Sequence, residues 1–417
     1  MKIIKYSELD KSEFFKNSDF EELACIKEII EQVKLNKDNA IIEYSNKFKD
    51  GDFKTSDDFL VTEEEIKKAF DAIDPKLLEA IKKAIENVKE FSLAQLNCLK
   101  NLELEKENSI IAHKIIPLNR VLCYCPGGNY PLISSAYMTI VPAVVAGVKE
   151  IYLTSPKIKP EVIVSAVLSG ATKIYKLGGV QAIAGFAYGT EAIKPVDKIT
   201  GPGNKFVAAA KKEVYGTCDI DFIAGPSEVM IIADKADDAK IIASDMLAQC
   251  EHDKDARAYL ITDNIELAKN VEKEAQEILK TLKTKEIAQV SFEKSSAILV
   301  DDINQAIKLA NKKAPEHLEL IFNDADKLKD KFTNYGSLFI NKNCAEVFGD
   351  YCSGTNHVLP TNGCAKYTGG LSVFDYVKIQ TYQKLDEKYS KELSKIASVI
   401  AQAEGLDGHR LSSELRG

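Results

Sequence analysis

Apolar and polar positions along the chain follow three successive patterns, of which the first is helical. Up to about Asn119, apolar residues recur at helical spacing among many lysines, as in EELACIKEIIEQVKLN and EEEIKKAFDAIDPKLLEAIKKAIENVKEFSLAQ. This spacing is typical of amphipathic helices that bury one face. We therefore expect residues 1–119 to form a helical N-terminal arm or cap.

From Arg120 the pattern changes to short β-rich runs that alternate with helical runs. The predicted strands are RVLCY, EIYLTS, TKIYKL and KPVDKIT, and the helical runs between them are SSAYMTIVPAVVAG, PEVIVSAVLSG and VQAIAGFAYGTEA. Such an alternation implies a parallel sheet with helices on both faces. A first α/β unit is therefore predicted over residues 120–226.

The same alternation begins again near Gly225–Ser227 and ends near Phe374. Its predicted strands include EVMIIAD, RAYLITDN, SSAILVDD, LELIF and GSLFIN, so a second, similar α/β unit is expected over residues 227–376. The last segment, 377–417, is polar, helical in spacing and poor in apolar surface of its own. We expect a helical tail that docks on its own chain or on a neighbouring one.

Composition and charge narrow the class of protein. A chain of 417 residues with 45% hydrophobic and 28% charged residues is typical of a soluble globular protein with more than one domain. Its 63 acidic residues outnumber 55 Lys and Arg residues, and no basic run stands out. This balance argues against a nucleic-acid partner, because nothing in the chain is suited to neutralise a row of phosphates.

Neither a signal peptide nor a membrane span is predicted. The start, MKIIKYSELDKSEFF, is charged where a signal peptide needs an apolar core, and the best apolar run, Ile140–Val148, is too short to cross a membrane. The nine cysteines include no C-x-x-C pair, which is typical of reduced thiols. We expect a cytoplasmic protein.

The nucleotide and zinc-protease motifs that are easiest to recognise are absent. There is no G-x-x-x-x-G-K-[ST] loop and no H-E-x-x-H pair. The nearest approach to a dinucleotide fingerprint is GPGNKF at Gly201–Phe206, which lacks the third glycine. A glycine-rich turn after a strand is more often only a tight turn, so this motif alone does not establish NAD binding.

The chain has only five histidines, and four of them follow acidic or amide residues. His252 follows Gln249 at the end of a predicted helix over 238–252, where their spacing puts both side chains on one face. A single histidine is more often a surface residue, but four such cases favour a shared site. The other three pairings are His317 after Glu316, His357 after Asp350, and His409 after Glu404.

Four of these side chains would form a mixed nitrogen and oxygen shell around a metal ion. They are Gln249, His252, Asp350 and His409. Imidazole combined with hard oxygen donors suits zinc, or manganese or cobalt in its place. Because the shell contains no thiolate, we expect a metal that positions a substrate better than one that holds the fold together.

At these residues the chain closely resembles histidinol dehydrogenase, from about residue 20 to the C-terminus. The resemblance depends on eight blocks in order: CPGGNYPL, KLGGVQAIAGFAYGT, TGPGNKFV, AGPSEVMIIAD, LAQCEHD, APEHLEL, GDYCSGTNHVLPT and AEGLDGHRLS. It implies an α/β fold of two similar consecutive Rossmann-like α/β/α units with parallel sheets, in an aldehyde-dehydrogenase-like architecture. It also implies a homodimer in which the C-terminal tail is swapped onto the partner subunit.

The resemblance further implies a reaction and a role for each matching residue. The reaction is two successive NAD-dependent oxidations of L-histidinol, through the aldehyde, to L-histidine, with one zinc ion that anchors the substrate. Glu316 and His317 match the catalytic pair, and the zinc ligands match Gln249, His252, Asp350 and His409. The positions that contact NAD match Tyr124, Gln181 and Asn204, and those that contact substrate match Ser227, His317, His357 and Glu404 in addition to the zinc ligands.

These residue types suit the chemistry, and two interpretations from other classes of protein remain open. A neutral His317 can take the hydroxyl proton as hydride leaves, and Glu316 can activate the water that hydrates the aldehyde. A cysteine nucleophile, Cys250 or Cys352, would instead form a thioester, although small buried thiols are the more common case. A zinc hydrolase with Glu316 as base would need no NAD, and a non-catalytic metal-binding relative would not need the Glu316–His317 pair.

Overall fold

The computed structural model describes residues 1–15, 24–106, 108–127, 131–223, 225–235 and 238–417. In the predicted CPGGNYPL block, Gly128, Asn129 and Tyr130 lie outside the described residues. Within the described part, the chain forms two parallel sheets with helices on both faces and one small antiparallel sheet.

The N-terminal region is helical in its middle, as the spacing predicts, but not at its two ends. Its helices are α1 (Lys11–Phe14), α2 (Ala24–Lys47), α3 (Glu63–Ala72) and α4 (Pro75–Leu96). Lys37 in α2 is not helical (φ 51°, ψ −129°), so two helical segments meet there. The start of α3 is fixed by a capping box between Thr62 and Glu65, and Asp74 caps α4.

Three strands occupy positions that the sequence analysis assigned to helix. They are β1 (Lys2–Lys5), β2 (Leu102–Lys106) and β3 (Ser109–Pro117). LELEK alternates apolar and polar residues with a period of two, and SIIAHKII is rich in β-branched isoleucine; both features favour a strand even among lysines. Residues 1–119 are therefore mostly helical, as predicted, and among the described residues the helical prediction is wrong only for these three strands.

The first α/β unit has the predicted alternation. Its elements are β4 (Arg120–Tyr124), α5 (Ile133–Ala146), β5 (Glu150–Thr154), α6 (Pro160–Ser169), β6 (Lys173–Tyr175), α7 (Gly179–Tyr188), β7 (Lys198–Thr200), α8 (Lys205–Val214) and β8 (Asp219–Ile220). The strands are parallel in the order β6-β5-β4-β7-β8, so the chain leaves β4 toward one edge and later returns to its other side. That reversal opens a crevice at the carboxyl ends of β4 and β7, where parallel sheets commonly bind ligands.

The second α/β unit repeats this order. Its elements are β9 (Glu228–Ala233), α9 (Ala239–Cys250), β10 (Arg257–Thr262), α10 (Ile265–Leu279), α11 (Lys285–Lys294), β11 (Ser296–Leu299), α12 (Ile303–Lys313), β12 (His317–Ile321), α13 (Ala325–Leu328), β13 (Ser337–Ile340) and α14 (Glu346–Tyr351). The sheet order is β1-β11-β10-β9-β12-β13, with β1 added in parallel beside β11. All six residues of β9 are buried, as expected for a central strand covered on both faces.

The C-terminal tail begins with a strand and ends with two helices. They are β14 (Val377–Lys384), α15 (Glu387–Ala403) and α16 (Asp407–Glu414). β14 pairs antiparallel with β3, which also pairs with β2. The prediction of a helical tail is thus confirmed for α15 and α16 and wrong for VKIQTYQK, whose alternating residues fit a strand. In the described part of the chain, no helix is both long and apolar enough to cross a membrane.

Candidate active site

A cleft of about 1960 Å³ lies between the two α/β units. One wall is the turn Pro202–Gly203–Asn204, at the carboxyl edge of the first sheet, and the other is the amino edge of the second sheet. Glu228 and His317 begin the adjacent strands β9 and β12, so both lie at this amino edge. Helix α9 runs back from the far end of β9, which returns its C-terminal residues to the same edge.

The Glu316–His317 pair lies at the base of this cleft and is held by β9. An oxygen of Glu316 accepts a hydrogen bond from the backbone N–H of Glu228 at 2.9 Å, and Nδ1 of His317 lies 3.3 Å from the carbonyl oxygen of the same residue. On the other side of the imidazole, Nε2 is 3.4 Å from a carboxylate oxygen of Asp350. Both side chains are almost fully buried. The orientations of both side chains are therefore fixed by contacts with β9 and with Asp350.

Burial and neighbouring charges shift the protonation of this pair. Burial raises the pKa of Glu316 to about 7, against the opposing charge of His317. Burial alone would lower the pKa of His317, but the carboxylates of Glu316, Asp350 and Glu346 outweigh it and raise that pKa well above its usual value. The surroundings thus favour a protonated His317, whereas the sequence analysis assumed a neutral one. A pKa near neutrality suits Glu316 to exchange protons at working pH.

Three further buried carboxyls form a row behind the site, and the sequence analysis did not identify them. Burial raises the pKa of Asp245 to about 6 and that of Glu319 to about 8, and it raises the pKa of Glu346 well above its usual value. The backbone N–H of Glu346 donates to Glu319 at 3.0 Å, and a carboxyl oxygen of Glu346 lies 3.9 Å from Nδ1 of His317. Strand and helix periodicity contained a signal for this row, because Glu319 follows His317 by two residues on one strand face and Glu346 precedes Asp350 by four on one helix.

Three of the four predicted metal ligands lie at the cleft or directly behind it. His252 and Asp350 line the cleft, while Gln249 is fully buried and neither amide atom of its side chain has a hydrogen-bond partner. A buried amide without partners is costly, so these atoms are suited to receive a ligand from the site. Helix α9 ends at Cys250, so His252 lies in the turn that follows the helix, and not inside the helix as predicted.

The fourth predicted ligand, His409, is separate from the other three in this chain. His409 and Glu404 are both exposed on the tail and are not part of the cleft lining. Among the residues that the structure describes, no group of three His, Cys, Asp or Glu side chains is arranged to hold a metal ion. Of the four predicted ligands, one chain thus brings together His252, Asp350 and Gln249.

The other predicted substrate residues line the cleft, and the two cysteines differ in exposure. Ser227 and His357 both lie in the wall, and burial lowers the pKa of His357 despite the charge of Asp350. Cys250 is buried and its Sγ lies 3.7 Å from the hydroxyl of Ser295. Cys352 is exposed and lines the cleft, so the expectation that both thiols are buried is wrong for Cys352.

The three predicted NAD positions lie at the carboxyl edge of the first sheet. Tyr124 ends β4, Gln181 lies in the first turn of α7, and Asn204 precedes α8. The hydroxyl of Tyr124 accepts a hydrogen bond from the N–H of Gly179, and Gln181 donates to Asp50 at 3.0 Å. Only Asn204 of the three lines the cleft; Tyr124 and Gln181 are buried beside it.

Comparison with known proteins gives one consistent result. The histidinol dehydrogenase family model matches residues 15–417. The chain is 42% identical over 420 residues to histidinol dehydrogenase of Methanocaldococcus jannaschii, covering 98% of this chain and 97% of that protein. It is 40% identical over 402 residues to that of Bacillus subtilis, covering 95% and 93%.

A solved structure agrees with these relatives. The crystal structure of histidinol dehydrogenase from Elizabethkingia anophelis superimposes with a TM-score of 0.89 at 34% identity, covering 96% of this chain and 93% of that one. The overall α/β architecture is therefore shared. This chain belongs to the histidinol dehydrogenase family of oxidoreductases.

Proposed function

We propose that the chain oxidises L-histidinol in two successive NAD-dependent steps, through the aldehyde, to L-histidine. The observation that carries this proposal is the placement of Glu316 and His317 across a cleft from the Pro202–Asn204 turn. A substrate held against the pair would face the carboxyl edge of the first sheet, where dinucleotides bind in folds of this kind. NAD, when bound there through Tyr124, Gln181 and Asn204, would accept the hydride of each step.

His317 and Glu316 would divide the proton transfers between them. We assign His317 to the proton that the hydroxyl loses as each hydride leaves, because its Nε2 is the ring nitrogen on the Asp350 side, away from the β9 carbonyl. The carboxylates around His317 favour its protonated form in the metal-free chain, and a zinc ion held by Asp350 would offset this charge and favour the neutral imidazole that the base must be. We assign Glu316 to the water that hydrates the aldehyde. Its pKa near 7 suits it to take a proton from water and later release it. The hydrogen bond from Glu228 would keep the attacking geometry constant across both steps.

We further propose that Gln249, His252 and Asp350, with His409, hold one zinc ion in the active site. The unpartnered amide of Gln249 and the cleft-lining side chains of His252 and Asp350 fit such a set of donors. Zinc bound there would anchor the imidazole and amine of the substrate, and its charge would also offset that of Asp350 beside His317. Ser227, His357 and Glu404 would complete the substrate contacts.

The tail supports a homodimer in which each site takes His409 and Glu404 from the other subunit. Along α15 and α16, Ile396, Val399, Ile400, Leu411 and Leu415 are each more than half exposed. Apolar side chains exposed on two helices that pack together are typical of a docking surface. The start of α15 is tied to β3 through Asp386 and Ser109, which leaves the two helices free to cover the cleft of a second copy.

We also place the protein in the cytoplasm, where its nine free thiols would stay reduced.

The proposed reaction is tested by mixing the zinc-loaded protein with NAD and L-histidinol. We expect absorbance to grow at the reduced-nicotinamide band, with two NADH formed for each histidine released. A zinc hydrolase or a non-catalytic metal-binding relative would form no NADH. One NADH per substrate, with free aldehyde accumulating, would contradict the two-step proposal.

Removal of the metal should abolish activity without unfolding the chain. The proposed ligands lie at a cleft and lack thiolate, so a strong chelator should reach and strip the ion while the sheets remain intact. We expect thermal unfolding to stay cooperative in the chelated protein and activity to return with zinc or manganese. Full turnover after chelation, verified by metal analysis, would exclude the anchoring role.

A further inference from the structure

A buried ion pair holds both backbone polar groups of Gly201, at the start of the turn that forms one wall of the cleft. The N–H of Gly201 donates to Oδ2 of Asp221 at 2.7 Å, and Nζ of Lys211 donates to the carbonyl oxygen of Gly201 at 2.9 Å. Lys211 and Asp221 also pair with each other. Their side chains are only 2% and 1% exposed, so a single glycine is held by two opposite charges inside the protein.

Such a pair is expensive to bury, and an apolar pair would fill the same space at lower cost. Removing two charges from water commonly costs more than their attraction returns, so a buried ion pair is weak evidence for a purely stabilising role. Besides pairing with each other, Lys211 and Asp221 each make a hydrogen bond to the backbone of Gly201. Oδ1 of Asp221 also accepts a hydrogen bond from the N–H of Phe222. The pair therefore specifies the position of this turn.

The turn has little room to move, because it is packed against the end of β4. Gly201 has φ +107°, and a Cβ atom at this position would lie 2.1 Å from the carbonyl oxygen of Tyr124. The other end of the turn is fixed by Asn204, whose side-chain oxygen accepts from the N–H groups of Phe206 and Val207 at the start of α8. Lys211 lies on the same helix, two turns further on.

We propose that Lys211 and Asp221 are positioning residues for dinucleotide binding. They do not line the cleft, whereas Pro202, Gly203 and Asn204 do, so they would act by holding the turn in its binding conformation before the dinucleotide arrives. Such preorganisation increases affinity because the ordering cost is met during folding. This inference rests on the proposed function, since it takes the Gly201–Asn204 turn as part of the NAD site.

Three variants test the pair. Asp221→Asn keeps the shape and one acceptor but removes the charge, and Lys211→Met keeps most of the aliphatic stem. The double variant Lys211→Met/Asp221→Asn leaves no unpaired buried charge. It is tested in place of a single variant that fails to fold. In zinc-loaded protein we expect the calorimetric Kd and the KM for NAD to rise roughly tenfold. The KM for histidinol and kcat at saturating NAD should stay within about twofold, because the pair touches neither the substrate nor Glu316.

A matched control comes from the same sheet. Glu150→Gln removes the charge that pairs with Arg120 at the amino edge, at the opposite end of β4 and β5 from the turn. It should leave NAD affinity unchanged even if it lowers the melting temperature. Folded variants of the pair that bind NAD as tightly as the unmodified chain would overturn the inference. A rise in the KM for histidinol and a fall in kcat as large as the change in NAD affinity would also overturn it. If the unmodified, zinc-loaded chain itself binds no NAD, the proposed function fails first and the inference with it.

Discussion

Two variants that are expected to oxidise almost no aldehyde to histidine, Glu316→Gln and His409→Asn, should restore aldehyde oxidation to one another when their subunits exchange. Glu316 belongs to the body of the subunit and His409 to its tail, and the tail of this chain keeps His409 exposed and away from its own cleft. If the tail docks on the partner, a mixed dimer has one site with both defects and one site with neither. Random exchange should then restore about a quarter of wild-type activity, since half of the dimers are mixed and each has one intact site.

A pair of body variants provides the control for this complementation. Glu316→Gln and Asp350→Asn both alter the same wall of the cleft, so every site in their mixed dimer keeps one defect. No recovery is expected from this mixture, although its subunits exchange equally. If the tail instead completes the site of its own chain, Glu316→Gln with His409→Asn would also stay inactive after exchange is verified by mass, and the swapped arrangement would be excluded.

The alternation of strands and helices after Arg120 was predictable because the buried strands are mostly apolar and the helices between them have apolar faces. Strands β2 and β14 were not, because LELEK and VKIQTYQK combine β-type alternation with Lys, Glu and Gln residues that also favour helices. Those segments become strands because they pair with β3, a contact between residues more than 250 positions apart in the case of β14. Local pattern contains no information on such pairing.

Several of the predicted site residues lie at the cleft, but their arrangement could not be predicted. Sequence blocks named Glu316, His317 and Asp350, yet nothing local indicates that they meet at the amino edge of the second sheet, the edge opposite to the usual binding crevice. The supporting residues were missed for a related reason. Glu228 acts through its backbone N–H and carbonyl, and Glu346 approaches His317 only because α14 follows β13 across the sheet. Both depend on tertiary contacts alone.

The adjacent residues of the catalytic pair should separate when alcohol and aldehyde are assayed as individual substrates. His317→Asn should slow both oxidations by about 10²–10⁴-fold, because each hydride transfer also releases a proton and general bases contribute on this scale. Glu316→Gln should leave oxidation of histidinol to the aldehyde partly intact and reduce aldehyde oxidation by a similar factor, because only that step requires an activated water. The glutamine keeps an oxygen that can accept from the N–H of Glu228, so the loss reports the missing carboxylate and not a displaced strand.

Glu319→Gln provides the control for this comparison. Glu319 is a buried carboxyl two residues beyond His317 on the same strand, and its hydrogen bond from Glu346 uses an oxygen that glutamine retains. This variant should change both oxidations equally and by much less than either site variant, because its carboxyl lies behind the pair and does not line the cleft. Equal losses of the alcohol and aldehyde reactions in Glu316→Gln would remove the assignment of Glu316 to water, and a His317→Asn protein that oxidises histidinol at the wild-type rate would remove His317 as the base.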